Sequence, residues 1–227
     1  MPHCLARTIA TTLCLTLAAL PASAGPWVRE KGSVFLSFGG NVAISDAAQR
    51  PVHWDPTLYL EYGLTEKITV GLDIYIANGA QEETATAFVR FPIRSADTRW
   101  PMAMSFAYGM RNDKALGVVD TLARAGLSVG RSLPNGWLSA DLAGVYALEA
   151  ERLESKLDLT WGWNFAEDWT SIVQLQSGVG TAGDIYVKVA PSIVYDMTRF
   201  NKVEVGLVQA LTGDGGAGLR VATWVEF

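Results

Sequence analysis

From Ile68 to Ala77 the chain alternates: Ile68, Val70, Leu72, Ile74 and Ile76 are interleaved with Thr69, Gly71, Asp73, Tyr75 and Ala77. The stretch from Arg152 to Phe165 repeats the pattern. Leu153, Leu157, Leu159, Trp161, Trp163 and Phe165 share one face, and Arg152, Glu154, Lys156, Asp158, Thr160 and Gly162 the other. Period two sends successive side chains to opposite faces of a strand, so each stretch predicts a strand with one apolar and one polar face. Twelve such segments can be marked, centred near Phe38, Tyr59, Leu72, Val89, Phe106, Gly126, Leu142, Leu157, Val173, Val189, Leu207 and Val221. Pro92 interrupts the fourth, and Val208-Gln209 breaks the alternation of the eleventh. A length of roughly ten residues suits a tilted strand crossing a bilayer, and no segment after residue 24 has the ~18 apolar residues of a spanning helix.

Connections fall into two sets that alternate along the chain. One is tight: Leu64 to Lys67, Ser95 to Thr98, Leu133 to Gly136 and Phe165 to Asp168. The other is richer in Gly and small polar residues and mostly longer: Ile44 to Pro51, Asn78 to Glu83, Asn112 to Val119, Val179 to Asp184 and Thr212 to Gly216. Short turns on one side and longer loops on the other are the asymmetry of an outer-membrane barrel. Tyr62, Trp100, Trp137, Trp163, Phe165, Trp169, Tyr195, Phe200 and Phe227 fall at the tight-turn ends, as an interfacial aromatic belt would. The expected fold is all-β: an antiparallel transmembrane β-barrel of about twelve strands, with ten or fourteen as alternatives and both termini periplasmic.

Composition agrees. Hydrophobic residues make up 49% of the chain and charged ones only 18%, which disfavours both disorder and an ordinary soluble surface. A net charge of −5 argues against a nucleic-acid partner, which would want a basic face. Arg7, the apolar run Ile9 to Leu20 and the small-x-small triplet Ala22-Ser23-Ala24 have the layout of a signal peptide spanning 1–24, leaving 25–227 as one barrel domain. Its removal takes Cys4, Cys14 and His3, so the mature chain would hold no thiol and one histidine, His53.

The last strand, LRVATWVEF, ends on Phe227 with Val225, Val221 and Leu219 on the same face. This resembles the C-terminal signal of bacterial outer-membrane β-barrel proteins. The resemblance implies insertion by the barrel-insertion machinery into outer-membrane lipid. The hairpin YGLTEKITVGL, from Tyr62 to Leu72, is similar to one in small transporter-like barrels, including those of the phenol-degradation meta-pathway group. That hairpin recurs in many barrels and implies no substrate.

Chemistry-bearing constellations are sparse. A lipid-hydrolysing barrel would need Ser and His within hydrogen-bond reach. His53 is followed by Trp54-Asp55, with no Ser on its face, and parity turns it inward. No His/Cys cluster suits a metal, while Asp46, Glu82 and Glu83 are acids expected in outer loops. No catalytic residue, cofactor or metal is expected.

The polar face carries the remaining information. Inward parity gives the acids Asp55, Glu61, Asp73, Asp141, Glu154, Asp158, Glu204 and Glu226, and the bases Arg90, Arg94, Arg111, Arg124, Arg152, Lys156, Lys188 and Arg220. On the lipid side a charge costs roughly 2–4 kcal/mol near the midplane, so these are expected to line the lumen. The strands bearing Arg90, Arg94, Arg111 and Arg124 are consecutive, which predicts a basic wall and a slight anion preference. Gly63, Gly71, Gly109, Gly126, Gly130, Gly162 and Gly206, on the same face or at its rim, leave space inside the barrel or let a neighbouring aromatic lie flat, and either way favour some lumen volume over dense filling. Two arrangements fit: a narrow pore for small polar or charged solutes, or a lumen closed by ion pairs. A non-conducting structural barrel and a lipid-modifying enzyme are the other readings.

Overall fold

The structure, a computed structural model, describes residues 25–44, 52–213 and 216–227. Twelve strands follow one another: β1 (Val34–Ala43), β2 (His53–Thr65), β3 (Ile68–Ala77), β4 (Glu82–Arg94), β5 (Met102–Asp113), β6 (Val118–Leu133), β7 (Gly136–Ala147), β8 (Arg152–Ala166), β9 (Trp169–Val179), β10 (Ile185–Asp196), β11 (Asn201–Thr212) and β12 (Ala217–Glu226). Each pairs antiparallel with its sequence neighbours, and β12 pairs with β1 to close the barrel. Every centre expected from the alternation lies inside its strand. Closure leaves no unpaired edge, the condition for strands to cross hydrocarbon.

The outer wall is apolar. Phe38, Leu72, Phe106, Leu142, Leu159, Val205 and Val221 project outward and are exposed. At the tight-turn end the belt residues Tyr62, Trp100, Trp163, Phe165, Trp169, Tyr195, Phe200 and Phe227 are exposed as well. Trp163 packs beside Trp161 and Phe165, and Trp169 meets Tyr195 at 4.6 Å between ring centroids. Trp137 departs from the belt: it is only 4% exposed and points inside. Its cross-strand partner Gly162 makes the room, since a β-carbon there would lie 2.4 Å from the indole.

Both interruptions in the pattern have structural counterparts. The β4–β5 register shifts between Pro92 and Arg94, as suits a residue with no N–H for the ladder. In β11 the parity holds but the chemistry swaps, with Gln209 exposed and Ala210 buried. Strands also extend into the expected loops: β5 runs to Asp113 and β6 starts at Val118, so only 114–117 remain between them. The contrast between the two ends is therefore milder than expected, and the 95–101 connection is longer than a tight turn. Glu82 and Glu83, expected in a loop, belong to β4; Asp46 lies outside the described residues.

Leu219, Val221 and Phe227 are exposed on the outer wall and Val225 is half-buried. Phe227 also closes the ring: its N–H donates to Val34 O at 3.1 Å and its carbonyl accepts from Val34 N–H at 2.6 Å. Deleting Phe227 is expected to cut the amount of assembled barrel several-fold, read as the heat-modifiable band on gels of membrane fractions. A wild-type amount of that band would count against an insertion role for this strand.

Candidate functional site

Contacts between strands that are not neighbours must pass through the barrel interior, and several ion pairs do so. Arg111 of β5 donates from both Nη atoms to Glu154 of β8, at 2.7 and 2.9 Å. Arg124 of β6 reaches Asp73 of β3 at 3.0 Å. Arg90 of β4 reaches Glu61 of β2 at 2.5 Å. Planar guanidinium groups suit such bridges because two parallel N–H donors match a carboxylate. Other pairs stay local: Lys156–Asp158 at 2.9 Å, Arg220–Glu204 at 3.0 Å and Arg152–Glu154 at 2.9 Å. His53 Nε2 lies 3.2 Å from Asp55 on the same inner face.

The basic wall is thus matched, acid for base, across the lumen. Arg90 and Arg111 are buried, and Arg111 also lies 3.5 Å from Glu82. Arg94 departs from the inward set: past the shift after Pro92 it pairs with outward-facing Met102 and is exposed at the rim. Lys188 lies over the Tyr186 ring at 5.7 Å. Glu226 meets Arg29 at 3.4 Å and Lys202 at 3.7 Å. At the outer rim the Thr121 hydroxyl donates to Glu149 and holds that carboxyl below the usual carboxylate range. Among the described residues no group of three His, Cys, Asp or Glu is placed to hold a metal ion.

Two halves of the interior differ. Toward the loop end the wall is polar and loosely filled: the Lys156 side chain is 52% exposed although it faces inward, beside Asp158. Gln176 and Gln174 continue that surface, linked to each other and to Thr160. Toward the tight-turn end the lumen is filled by the chain's own N-terminal segment, 25–33. Trp27 joins Trp137, Ile172, Val194, Ala222 and Trp224 in a buried apolar cluster, with Phe35 against it. Arg29 donates from Nε to Glu61 at 2.7 Å, and its backbone N–H donates to the Thr69 hydroxyl at 2.8 Å. Its guanidinium also lies 4.5 Å from the centroid of the Phe35 ring. Glu61, fully buried, is held between Arg29 and Arg90 and accepts from the Tyr59 hydroxyl at 2.6 Å.

At four of the inward glycines the place of the missing side chain is taken up by a neighbour. A β-carbon on Gly63 would lie 1.8 Å from Glu30 O, and one on Gly130 would meet Pro26 and Trp27 at 2.6 Å. Phe88 covers Gly71 and Trp137 covers Gly162. Two of these glycines therefore admit the N-terminal segment, and two let a ring lie against the wall.

No protein-family model matches the sequence, and no curated protein matches it. Solved structures do. The KdgM porin superposes with a TM-score of 0.62 at 12% identity, covering 86% of this chain and 99% of that one. The NanC porin gives 0.59 at 10% identity, over 85% and 98%. An outer membrane channel from Pseudomonas putida F1 gives 0.58 at 10% identity, over 92% and 100%. The chain therefore has the fold of these porins. A closed barrel with this apolar wall and aromatic belt belongs in the bacterial outer membrane.

Proposed function

We propose that the protein is a passive, porin-like channel for small polar or charged solutes, narrowed at its periplasmic end by residues 25–33. The observation that carries this reading is the polar, loosely filled inner wall of the loop-end half, where Lys156 is half-exposed inside a closed barrel. Side chains that only filled the lumen would be shielded there. A solute entering from outside meets fixed charges of both signs and amide groups, which suit polar molecules and give apolar ones nothing to bind. The KdgM porin has also been solved in complex with disordered oligogalacturonate. Here carboxylates stand beside almost every inward cation, so the matched wall supports only a broad class of small polar solutes.

The same matching removes the reason to expect anion preference. Arg90 and Arg124, which would have supplied it, are bound to Glu61 and Asp73. Purified folded protein in planar bilayers is expected to give small discrete current steps, with a reversal potential near zero in a potassium chloride gradient. Absence of steps at every voltage would overturn the channel and leave a structural barrel of the outer membrane. The buried cluster around Trp27 is the observation that favours that second reading.

A further inference from the structure

We propose that the α-ammonium set free at Gly25, when residues 1–24 are removed, pairs with the carboxylate of Asp141 inside the barrel. This ion pair latches the N-terminal segment in its closed position. The inference rests on the reading of 25–33 as the closure of the channel.

Among the described residues, Asp141 is the one sequence-marked inner acid with no Arg, Lys or His within ion-pair distance. Glu61, Asp73, Glu154, Asp158, Glu204 and Glu226 each meet Arg or Lys, and Asp55 meets His53. Asp141 accepts from the Ser139 hydroxyl at 3.2 Å and from the Ser128 hydroxyl, and it feels the positive charge of Arg90 without forming an ion pair with it. Its cross-strand neighbour on the inner face is another acid, Asp158, already engaged by Lys156. A shielded carboxylate beside a second carboxylate is unfavourable without a compensating positive charge.

Gly25 stands at the vacancy. A β-carbon built on it would lie 3.3 Å from Asp141 Oδ1 and 3.4 Å from Oδ2, and the Gly25 nitrogen is two bonds from that point. The cleavage signal Ala22-Ser23-Ala24 ends at the preceding residue. Hydrolysis of the Ala24–Gly25 peptide gives the carboxyl to Ala24 and the amine to Gly25. With a usual α-amino pKa of about 8, that amine carries a proton at neutral pH. Processing would therefore create the missing cation within reach of the unmatched acid. Gly25 suits the place because it has no side chain to hold the carboxylate off.

The test uses the processed protein purified from outer membranes. N-terminal sequencing should begin at Gly25; another start overturns the proposal. An α-amine-selective aldehyde reagent, read by mass spectrometry, should label Gly25 at least tenfold more slowly in the folded barrel than after heat denaturation. Asp141→Asn should abolish most of that protection, and Asp141→Glu should retain part of it. A second variant, with one Ala inserted between Ala24 and Gly25, displaces the amine without touching the barrel wall, and should lose protection too. Equal labelling of folded and denatured wild type, or full protection in folded Asp141→Asn, would overturn the latch. Bilayer recordings separate this from the closure itself: if removing 26–32 raises conductance while Gly25 is unprotected in wild type, the closure stands and the latch falls. If that removal changes nothing, the closure falls as well.

Discussion

Deleting residues 26–32 is expected to raise single-channel conductance by roughly an order of magnitude, because a twelve-stranded barrel lies between filled eight-stranded ones and the wide channels of larger barrels. The segment takes up the width of the periplasmic half: Trp27 is packed among Trp137, Ile172, Val194 and Trp224, and Arg29 spans from Glu61 to Glu226. Without it, that half becomes water lined by Thr69, Glu61 and Arg90. A point variant should act in the same direction while keeping the chain length. Gly63→Leu puts a side chain where Glu30 O now sits, 1.8 Å from the new β-carbon, so the segment must leave. Full-length conductance in both variants, measured on barrels of normal heat-modifiability, would show that 25–33 does not set the current.

The second large effect concerns Glu61. Replacing it with Ala leaves Arg29 and Arg90 facing each other in a buried space, and removing one member of a buried ion pair costs about 3–5 kcal/mol. The urea midpoint for unfolding from lipid vesicles, followed by Trp fluorescence, should fall clearly below wild type. Trp27, Trp137 and Trp224 all lie in the affected end, so the signal reports on it directly. Glu61→Ala should also leak current, since the same carboxylate holds Arg29. Glu204→Ala is the useful comparison: its partner Arg220 is 29% exposed and can turn to water, so the midpoint should move less. Similar midpoints for Glu61→Ala and wild type would remove Glu61 from the role given to it here.

Much of this was readable from alternation alone, and the reason is geometric. Period two assigns a face to each residue of a strand, so Asp73, Arg111, Glu154 and Lys156 could be turned inward without knowing any contact. Trp137 was equally readable, because it shares the parity of Asp141; its place beside a tight turn suggested the belt instead. Partners across the lumen were not readable. Which strands face each other depends on how the sheet curves shut, and nothing in the local pattern around Arg111 names Glu154. The faces of Arg94 and Gln209 were obscured for separate reasons. Pro92 displaces the register before Arg94, and β11 places polar Gln209 on the outer wall beside buried Ala210. The N-terminal segment was hidden most completely. Pro26-Trp27-Val28-Arg29 precedes the first strand and has no period, so its side chains had no face to be assigned to.

The contact between Arg29 and Glu226 joins residues 197 apart in sequence. Such a contact forms late, because nearly the whole chain must be ordered before its ends can meet, and folding slows as contacts become less local. Arg29 can touch Glu61 once the first hairpin exists, but it can touch Glu226 only after β12 has zipped onto β1. The segment would thus sense completion of assembly: a sheet still open at its seam offers half of its berth. A nascent barrel stalled before closure would keep Arg29 and Trp27 exposed to the periplasm, where a protease could distinguish it from a finished one.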